Sequence, residues 1–125
     1  MTTEEKTELL KDVARLAPKE WDAHTRVSEL RLYLGGHICD VGYNEITNAF
    51  LTVALLKWLG EDYSLNWSPI HNREVRGYDD PDGWCCEWWP EEAEEDVEKS
   101  AQYFDPEPVY AVLLAVRERL KEMEG

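Results

Sequence analysis

Residues 44–60 read NEITNAFLTVALLKWLG, and this stretch has the clearest helix boundaries in the chain. Asn44 is a favourable N-cap, and Gly60 is typical of the position that follows a helix. Between them, apolar residues from Ile46 to Leu59 cover more of the predicted helix than a single stripe. A helix with so wide an apolar surface is either the central helix of a core or one side of an oligomer interface.

The elements before this helix are a helix and a strand. Thr2 and Glu5 have the spacing of a capping box, and the apolar spacing that follows predicts a helix from about Thr3 to Ala17. Charged and apolar residues alternate over Glu29–Leu34, which predicts a strand that ends in a turn at Gly35-Gly36.

Two strands and a helix are predicted after Gly60. Ser64–Ile70 and Gly83–Trp89 read as an antiparallel pair joined by a long acidic turn at residues 78–83, which are rich in turn formers. The last helix is predicted to start at Asp105 as its N-cap, with Pro106 at its first position. The pattern leaves open whether Glu91–Lys99 is a helical turn or a mobile loop.

These elements predict one domain spanning residues 1–125, because a chain of this length buries one core. Each element has one apolar face to bury, and the order of elements mixes helices with hairpin-like strands. We therefore expect an α+β fold in which a small antiparallel sheet of about three strands packs with about three helices, as an α/β sandwich.

The net charge of -14 is concentrated in one segment. Ten acidic residues and no basic ones lie between Asp79 and Glu98, so the rest of the chain carries only the difference between -14 and -10, which is -4. A local field of this kind steers a basic partner and disfavours direct binding to nucleic acid. The alternative interpretation is a solvated acidic loop that keeps the protein soluble.

Tryptophans accompany this charge, since three of the six lie within residues 84–89. Alternation along the strand predicts that Trp84 and Trp88 point inward and that Trp89 lies outward, beside Glu87 and the acidic run. Exposed aromatic side chains are enriched at interaction hot spots. The predicted surface for a basic protein partner consists of Asp79, Asp80, Asp82, Glu87, Trp89, Glu91, Glu92, Glu94 and Glu95.

The histidines and cysteines give only weak support for a zinc site or a catalytic Cys–His pair. His37, Cys39, Cys85 and Cys86 offer four potential zinc ligands, but adjacent cysteines cannot easily chelate one tetrahedral ion. Pairs of Cys39 or Cys86 with His24, His37 or His71 lack any accompanying catalytic motif. We therefore predict no metal, no cofactor and no catalytic residue. Three cysteines, no membrane-spanning segment and a polar N-terminus together favour the cytoplasm.

A few arginines support a different hypothesis, in which the chain sequesters a nucleotide signal. Arginines could grip the phosphates while a tryptophan stacks on the base. The residues assigned to such a site are Arg31, Trp67, Arg73, Arg76 and Trp84. The competing interpretation is that these arginines neutralise nearby carboxylates.

Several short motifs resemble small phage and prophage proteins, including the phage ABA-sandwich domains. They are Glu8-Leu9-Leu10, Trp21-Asp22, Tyr43-Asn44-Glu45-Ile46-Thr47 running into residues 54–60, and Asp105-Pro106-Glu107-Pro108. The acidic stretch Glu91–Lys99 and the pair Cys85-Cys86 depart from this pattern. The resemblance implies an α/β sandwich of viral or prophage origin and carries no catalytic motif.

A phage origin suggests a role for the predicted surface that binds a basic partner. We expect an anti-CRISPR-like counter-defence inhibitor that acts in the cytoplasm of the bacterial host. It would present carboxylates where nucleic-acid phosphates normally sit and so block a basic nucleic-acid-binding defence protein. The alternatives are a sponge for a cyclic oligonucleotide or ADP-ribose signal and a structural or accessory phage protein. Association of copies through the helix at residues 45–59 is a further expectation.

Overall fold

The computed structural model describes residues 1–42, 44–67 and 83–124. In this part of the chain three α-helices accompany two antiparallel sheets of three strands each, which confirms the predicted α+β class. The helices are α1 (Thr3–Leu16), α2 (Glu45–Leu59) and α3 (Pro108–Glu124). The strands are β1 (His24–Arg26), β2 (Glu29–Leu34), β3 (His37–Val41), β4 (Tyr63–Trp67), β5 (Trp84–Trp88) and β6 (Ala101–Asp105).

The first two helices begin at the residues that the sequence predicts, because both have reciprocal caps. The Glu5 N–H donates to Thr2 Oγ1 at 3.2 Å, and the Thr2 N–H donates to the Glu5 carboxylate at 3.3 Å. At α2 the Thr47 N–H donates to Asn44 Oδ1 at 2.9 Å, and the Asn44 N–H donates to Thr47 Oγ1 at 3.2 Å. Each pair satisfies two N–H groups that a helix start leaves without partners.

The first sheet has the order β1-β2-β3. Strands β2 and β3 are joined by the two-residue turn Gly35-Gly36, where both glycines have positive φ, as a tight hairpin with right-handed strand twist requires. The three leucines of β2 point into the core and its charged residues point outward. The strand β2 matches its prediction, whereas β1 and β3 were not predicted.

The second sheet has β5 at its centre, paired with β4 and β6. The predicted antiparallel pair is therefore confirmed, with Tyr63 opposite Trp88 and Trp67 opposite Trp84. The described strands are Tyr63–Trp67 and Trp84–Trp88, so β4 begins one residue before its prediction and β5 is one residue shorter at each end. Residues 68–70 and the predicted acidic turn at 78–82 lie outside the described residues. Strand β6 was not predicted.

The start of the last helix corrects the prediction. Asp105 is the final residue of β6, and its carboxylate accepts the Glu107 N–H at 2.9 Å in a turn that precedes α3. The helix begins at Pro108 because a residue before proline, here Glu107, avoids the helical conformation. Pro108 in turn fits the first helical position, where no N–H is needed.

Helix α3 is the central helix of the core. It packs against α1, α2, β5 and β6, and eight of its residues are buried. Helix α2 packs on α3 and β3 by one side only and leaves Ile46, Phe50 and Val53 exposed. Of the two interpretations of its wide apolar surface, the central-helix one is therefore wrong. None of the helices in the described ranges has the length and apolarity needed to cross a membrane.

Candidate interaction surface

The acidic stretch after β5 folds into two short 3-10 turns, Glu91–Glu94 and Val97–Lys99. Backbone hydrogen bonds hold both turns, such as Ala93 N–H to the Pro90 carbonyl at 2.9 Å and Lys99 N–H to the Asp96 carbonyl at 3.0 Å. The Asp96 carboxylate also accepts the Glu98 N–H at 3.1 Å. The stretch that the sequence left undecided is therefore a defined backbone rather than an open loop.

Two small apolar residues of this stretch are buried, and we refer to them as its anchors. Ala93 is fully buried and Pro90 is buried as well, while the acidic side chains around them are exposed. The backbone thus buries these two residues and leaves the charged side chains in solvent. We use the name acidic surface for the six exposed carboxylates that result: Glu91, Glu92, Glu94, Glu95, Asp96 and Glu98.

Within the described residues, no ion pair neutralises the charge of the acidic surface. None of the ion pairs between described residues includes any of its six carboxylates. Carboxylates elsewhere do have partners, as in Asp40 with Arg31 at 2.8 Å and Glu107 with Lys6 at 3.0 Å. The acidic surface is therefore a cluster of six negative charges, close together in sequence, that make no ion pair with other described residues.

Trp89, Val97 and Asp62 are further exposed residues beside or within the acidic surface. The Trp89 side chain is 40% exposed. Its backbone N–H donates to the Asp62 carbonyl at 2.8 Å. This bond brings the exposed turn between α2 and β4 next to the first anchor. Val97 lies 65% exposed among the carboxylates. Sequence reasoning missed Asp62, because only strand pairing brings it here, and Val97, which carried no charge signal.

The other predicted partner residues lie apart from the acidic surface or outside the described residues. Glu87 lies on β5, on the face that it shares with Cys85 and opposite the core-facing Cys86, as strand alternation predicts. It is only half-buried, opposite Ser64 and Gln102 of the neighbouring strands. Asp79, Asp80 and Asp82 lie outside the described residues.

The residues proposed for a nucleotide site are divided between the two sheets. Trp67 and Trp84 contact each other edge to face, with ring centroids 5.6 Å apart, and Trp67 is half exposed. Arg31 lies on the outer face of the other sheet, where its Nε donates to Asp40 at 2.8 Å. The structure does not bring Arg31 to the tryptophans. Arg73 and Arg76 lie outside the described residues.

A shallow depression of about 270 Å³ covers the outer face of β1 and β2. Its rim is lined by His24, Arg26, Glu29, Arg31 and Asp40, which mix both signs of charge. The guanidinium of Arg31 is engaged by Asp40, and the charges of the rim largely cancel. The depression therefore has no strong preference for an anion or a cation.

The cysteines are buried thiols. Burial raises the pKa of Cys86 to about 12 and also raises the pKa of Cys39, because the thiolate loses its hydration inside the protein. The Cys39 Sγ–H donates weakly to the His37 carbonyl at 3.8 Å. A nucleophilic cysteine needs a lowered pKa and access to solvent. Among the described residues, no group of three His, Cys, Asp or Glu side chains could hold a metal ion.

Neither a protein-family model nor a curated protein nor a solved structure matches the chain. The resemblance to phage ABA-sandwich proteins therefore stays a prediction that rests on short motifs.

Proposed function

We propose that this chain is a binding protein whose acidic surface occupies the basic, nucleic-acid-binding groove of a partner protein. The observation that carries the proposal is a set of six exposed carboxylates on a hydrogen-bonded backbone, none of which pairs with a cation among the described residues. A partner that binds phosphates presents arginines and lysines at fixed positions. Carboxylates held in fixed positions can meet these cations with less loss of conformational entropy than a mobile tail would suffer.

Trp89 and Val97 suggest how such a partner is held after the first encounter. Long-range attraction speeds association, but the complex lasts through short-range contacts at its centre. The exposed ring of Trp89 can accept an arginine guanidinium on its face, and Val97 offers apolar contact between carboxylates. The partner class that fits is therefore an arginine-rich groove rather than a uniformly basic tail.

The biological setting of the proposal comes from the motif resemblance. A phage or prophage protein of this type would act against a host defence protein that binds nucleic acid, in the manner of an anti-CRISPR inhibitor. The action proposed is occupancy of the groove and not catalysis, in keeping with the buried, weakly acidic thiols.

The first experiment measures affinity for an arginine-rich nucleic-acid-binding peptide and for a panel of nucleic-acid-binding defence proteins across a salt series. We expect affinity to fall steeply with salt and bound nucleic acid to be displaced. Replacing Glu91, Glu92, Glu94 and Glu95 together with Gln should weaken binding at least about tenfold at low salt.

The matched control removes the same number of charges elsewhere. Glu8, Glu20, Glu29 and Glu124 are exposed and lie outside the acidic surface, so their replacement by Gln gives the same net charge. This control should stay within about threefold of the parent protein, since distant exposed charges are screened. Equal weakening by both sets, or an affinity that does not depend on salt, would contradict the proposal.

A further inference from the structure

Helix α2 has a continuous apolar face that nothing in the described part of the chain covers. Ile46, Phe50 and Val53 are 68%, 67% and 55% exposed. They are spaced four and three residues apart, so they form one ridge along the helix. Core-side residues of the same helix, such as Leu51 and Leu55, are fully buried, so this ridge is a second apolar face.

Shallow grooves flank the ridge along its whole length. The groove of the amino-terminal half includes Ala49, and the groove of the carboxyl-terminal half includes Leu56 and Gly60. Small residues beside large ones allow two helices to approach closely and interdigitate. The helix has 15 residues and so offers a face about 22 Å long.

Helix α2 carries two charges of opposite sign, one near each end, so two antiparallel copies can pair them. Glu45 in the first turn and Lys57 in the last turn are its only charged residues, and both are exposed. The helix therefore carries no net charge in a chain whose net charge is -14. Two copies repel each other through most of their surfaces, whereas this face brings only Glu45, Lys57 and the neighbouring Glu61 near the contact.

We propose that a second copy of this chain packs on the α2 face, antiparallel, about a twofold axis between Phe50 and Val53. In that arrangement Phe50 contacts Val53 of the other copy, and Glu45 lies near Lys57 of the other copy at both ends. The opposed helix dipoles also attract. A parallel arrangement would place Glu45 beside Glu45 and Lys57 beside Lys57, which disfavours it.

The first test is the mass in solution, measured by sedimentation equilibrium. We expect a dimer with a dissociation constant in the range of about 1–100 μM, because one helix pair makes a small interface. Phe50→Glu should raise that constant at least about thirtyfold, since it places a charge at the centre of an apolar contact. Ile38→Glu is the matched control, because Ile38 is 64% exposed on the outer face of β3, beside Tyr33 of β2, and should leave the dimer unchanged.

The second test identifies the orientation and the occupant. Lys57→Glu alone and Glu45→Lys alone should each weaken self-association about tenfold, because each creates two like-charged contacts. An equimolar mixture of the two variants should restore the dimer, because every contact between the two different chains is then Glu with Lys. Circular dichroism of each variant separates loss of association from loss of folding.

Salt separates this proposal from the proposed function. Salt screens the repulsion between two acidic copies, so self-association should strengthen with salt, whereas binding of a basic partner should weaken. A monomer at all concentrations up to about 1 mM would overturn the dimer proposal without affecting the acidic surface. A dimer that survives Phe50→Glu, or a variant mixture that fails to associate when each folds, would overturn it as well.

Discussion

The Trp89 N–H donates to the Asp62 carbonyl at 2.8 Å, one residue beyond the pairing of β4 with β5. This bond joins the end of the central strand of the second sheet to the turn that follows α2. The acidic surface begins directly after it, at Glu91, so its position is set by the sheet rather than by its own charged residues. The two interaction faces proposed above are therefore connected through the turn at residues 60–62 and this hydrogen bond.

Residue Val27 stores backbone strain that a substitution can relieve. It has φ 51° at the tip of the β1–β2 hairpin, which is unfavourable for a β-branched residue. Its side chain is 85% exposed, so packing does not offset this cost. The left-handed conformation costs an L-residue about 1–2 kcal/mol, and glycine costs about 0.5–1 kcal/mol in chain entropy. Val27→Gly should therefore stabilise the fold by about 0.5–1 kcal/mol.

Urea unfolding measures this change, and the adjacent residue provides the control. Ser28 in the same turn does not have positive φ. Ser28→Gly should therefore leave the free energy of unfolding unchanged or lower it. Stabilisation by both substitutions, or by neither, would show that the strain at Val27 is not the cause.

Gly42, at the end of β3, cannot be replaced by any residue with a Cβ. Its φ is 93°, and a Cβ built there would lie 2.5 Å from the Ser28 carbonyl oxygen. A side chain at this position is disfavoured by the positive φ and by the close contact with backbone atoms. Gly42→Ala should therefore lower the free energy of unfolding by about 3 kcal/mol or more. Gly35→Asn is the control, because Asn tolerates the left-handed region and Gly35 has open space around it; its cost should stay below about 1 kcal/mol.

Alkaline pH should destabilise the fold through Cys86 and Tyr103. Desolvation raises the pKa of both groups to about 12, from ordinary values of 9.0 and 10.0. Between these limits the folded state holds protons that the unfolded chain releases, so stability falls as pH rises from about 9 towards 12. Below the unfolded values both groups are protonated in both states, and their contribution does not change with pH.

Urea unfolding at several pH values between about 8 and 11 tests this expectation. Tyr103→Phe and Cys86→Ala each remove one titrating group, so each should flatten the decline, and the double variant should flatten it further. A decline of unchanged slope in the double variant would assign the alkaline loss to other groups.

The parts of the fold that could be predicted from sequence are those with local signals. The limits of α2 follow from Asn44 and Gly60, and β2 follows from strict alternation, so both lie where expected. Strand β1 was missed because all three of its residues are exposed and give no alternation. Strand β3 had a usable signal, since two glycines directly after a strand are typical of a two-residue hairpin.

The interaction surface was predictable in composition but not in geometry. The concentration of charge at Glu91–Glu95 is visible in the sequence, and so is the tryptophan-rich strand beside it. The approach of Asp62 to Trp89 depends on the register between β4 and β5, and the burial of Ala93 depends on tertiary packing. Contacts between segments distant in the chain leave no local pattern in the sequence. For the same reason the sequence groups Arg31 of the first sheet with Trp67 and Trp84 of the second.

Ala93 allows the geometry of the acidic surface to be separated from its charge. Ala93→Asp adds a negative charge, but it places that charge at the buried anchor between Glu92 and Glu94. A buried carboxylate without a partner is unfavourable, so the stretch should detach and lose its fixed turn. We therefore expect affinity for the arginine-rich peptide to fall about tenfold despite the added charge, because a mobile segment loses more entropy on binding.

Gln102→Glu is the control, since it adds the same charge at an exposed position just after this stretch without removing an anchor. Its affinity should equal or exceed that of the parent protein. Hydrogen exchange of the backbone amides at 93–100 should accelerate in Ala93→Asp alone, because their hydrogen bonds open when the anchor leaves. If both variants bind more tightly, net charge alone governs recognition, and the fixed arrangement of the six carboxylates has no part in it.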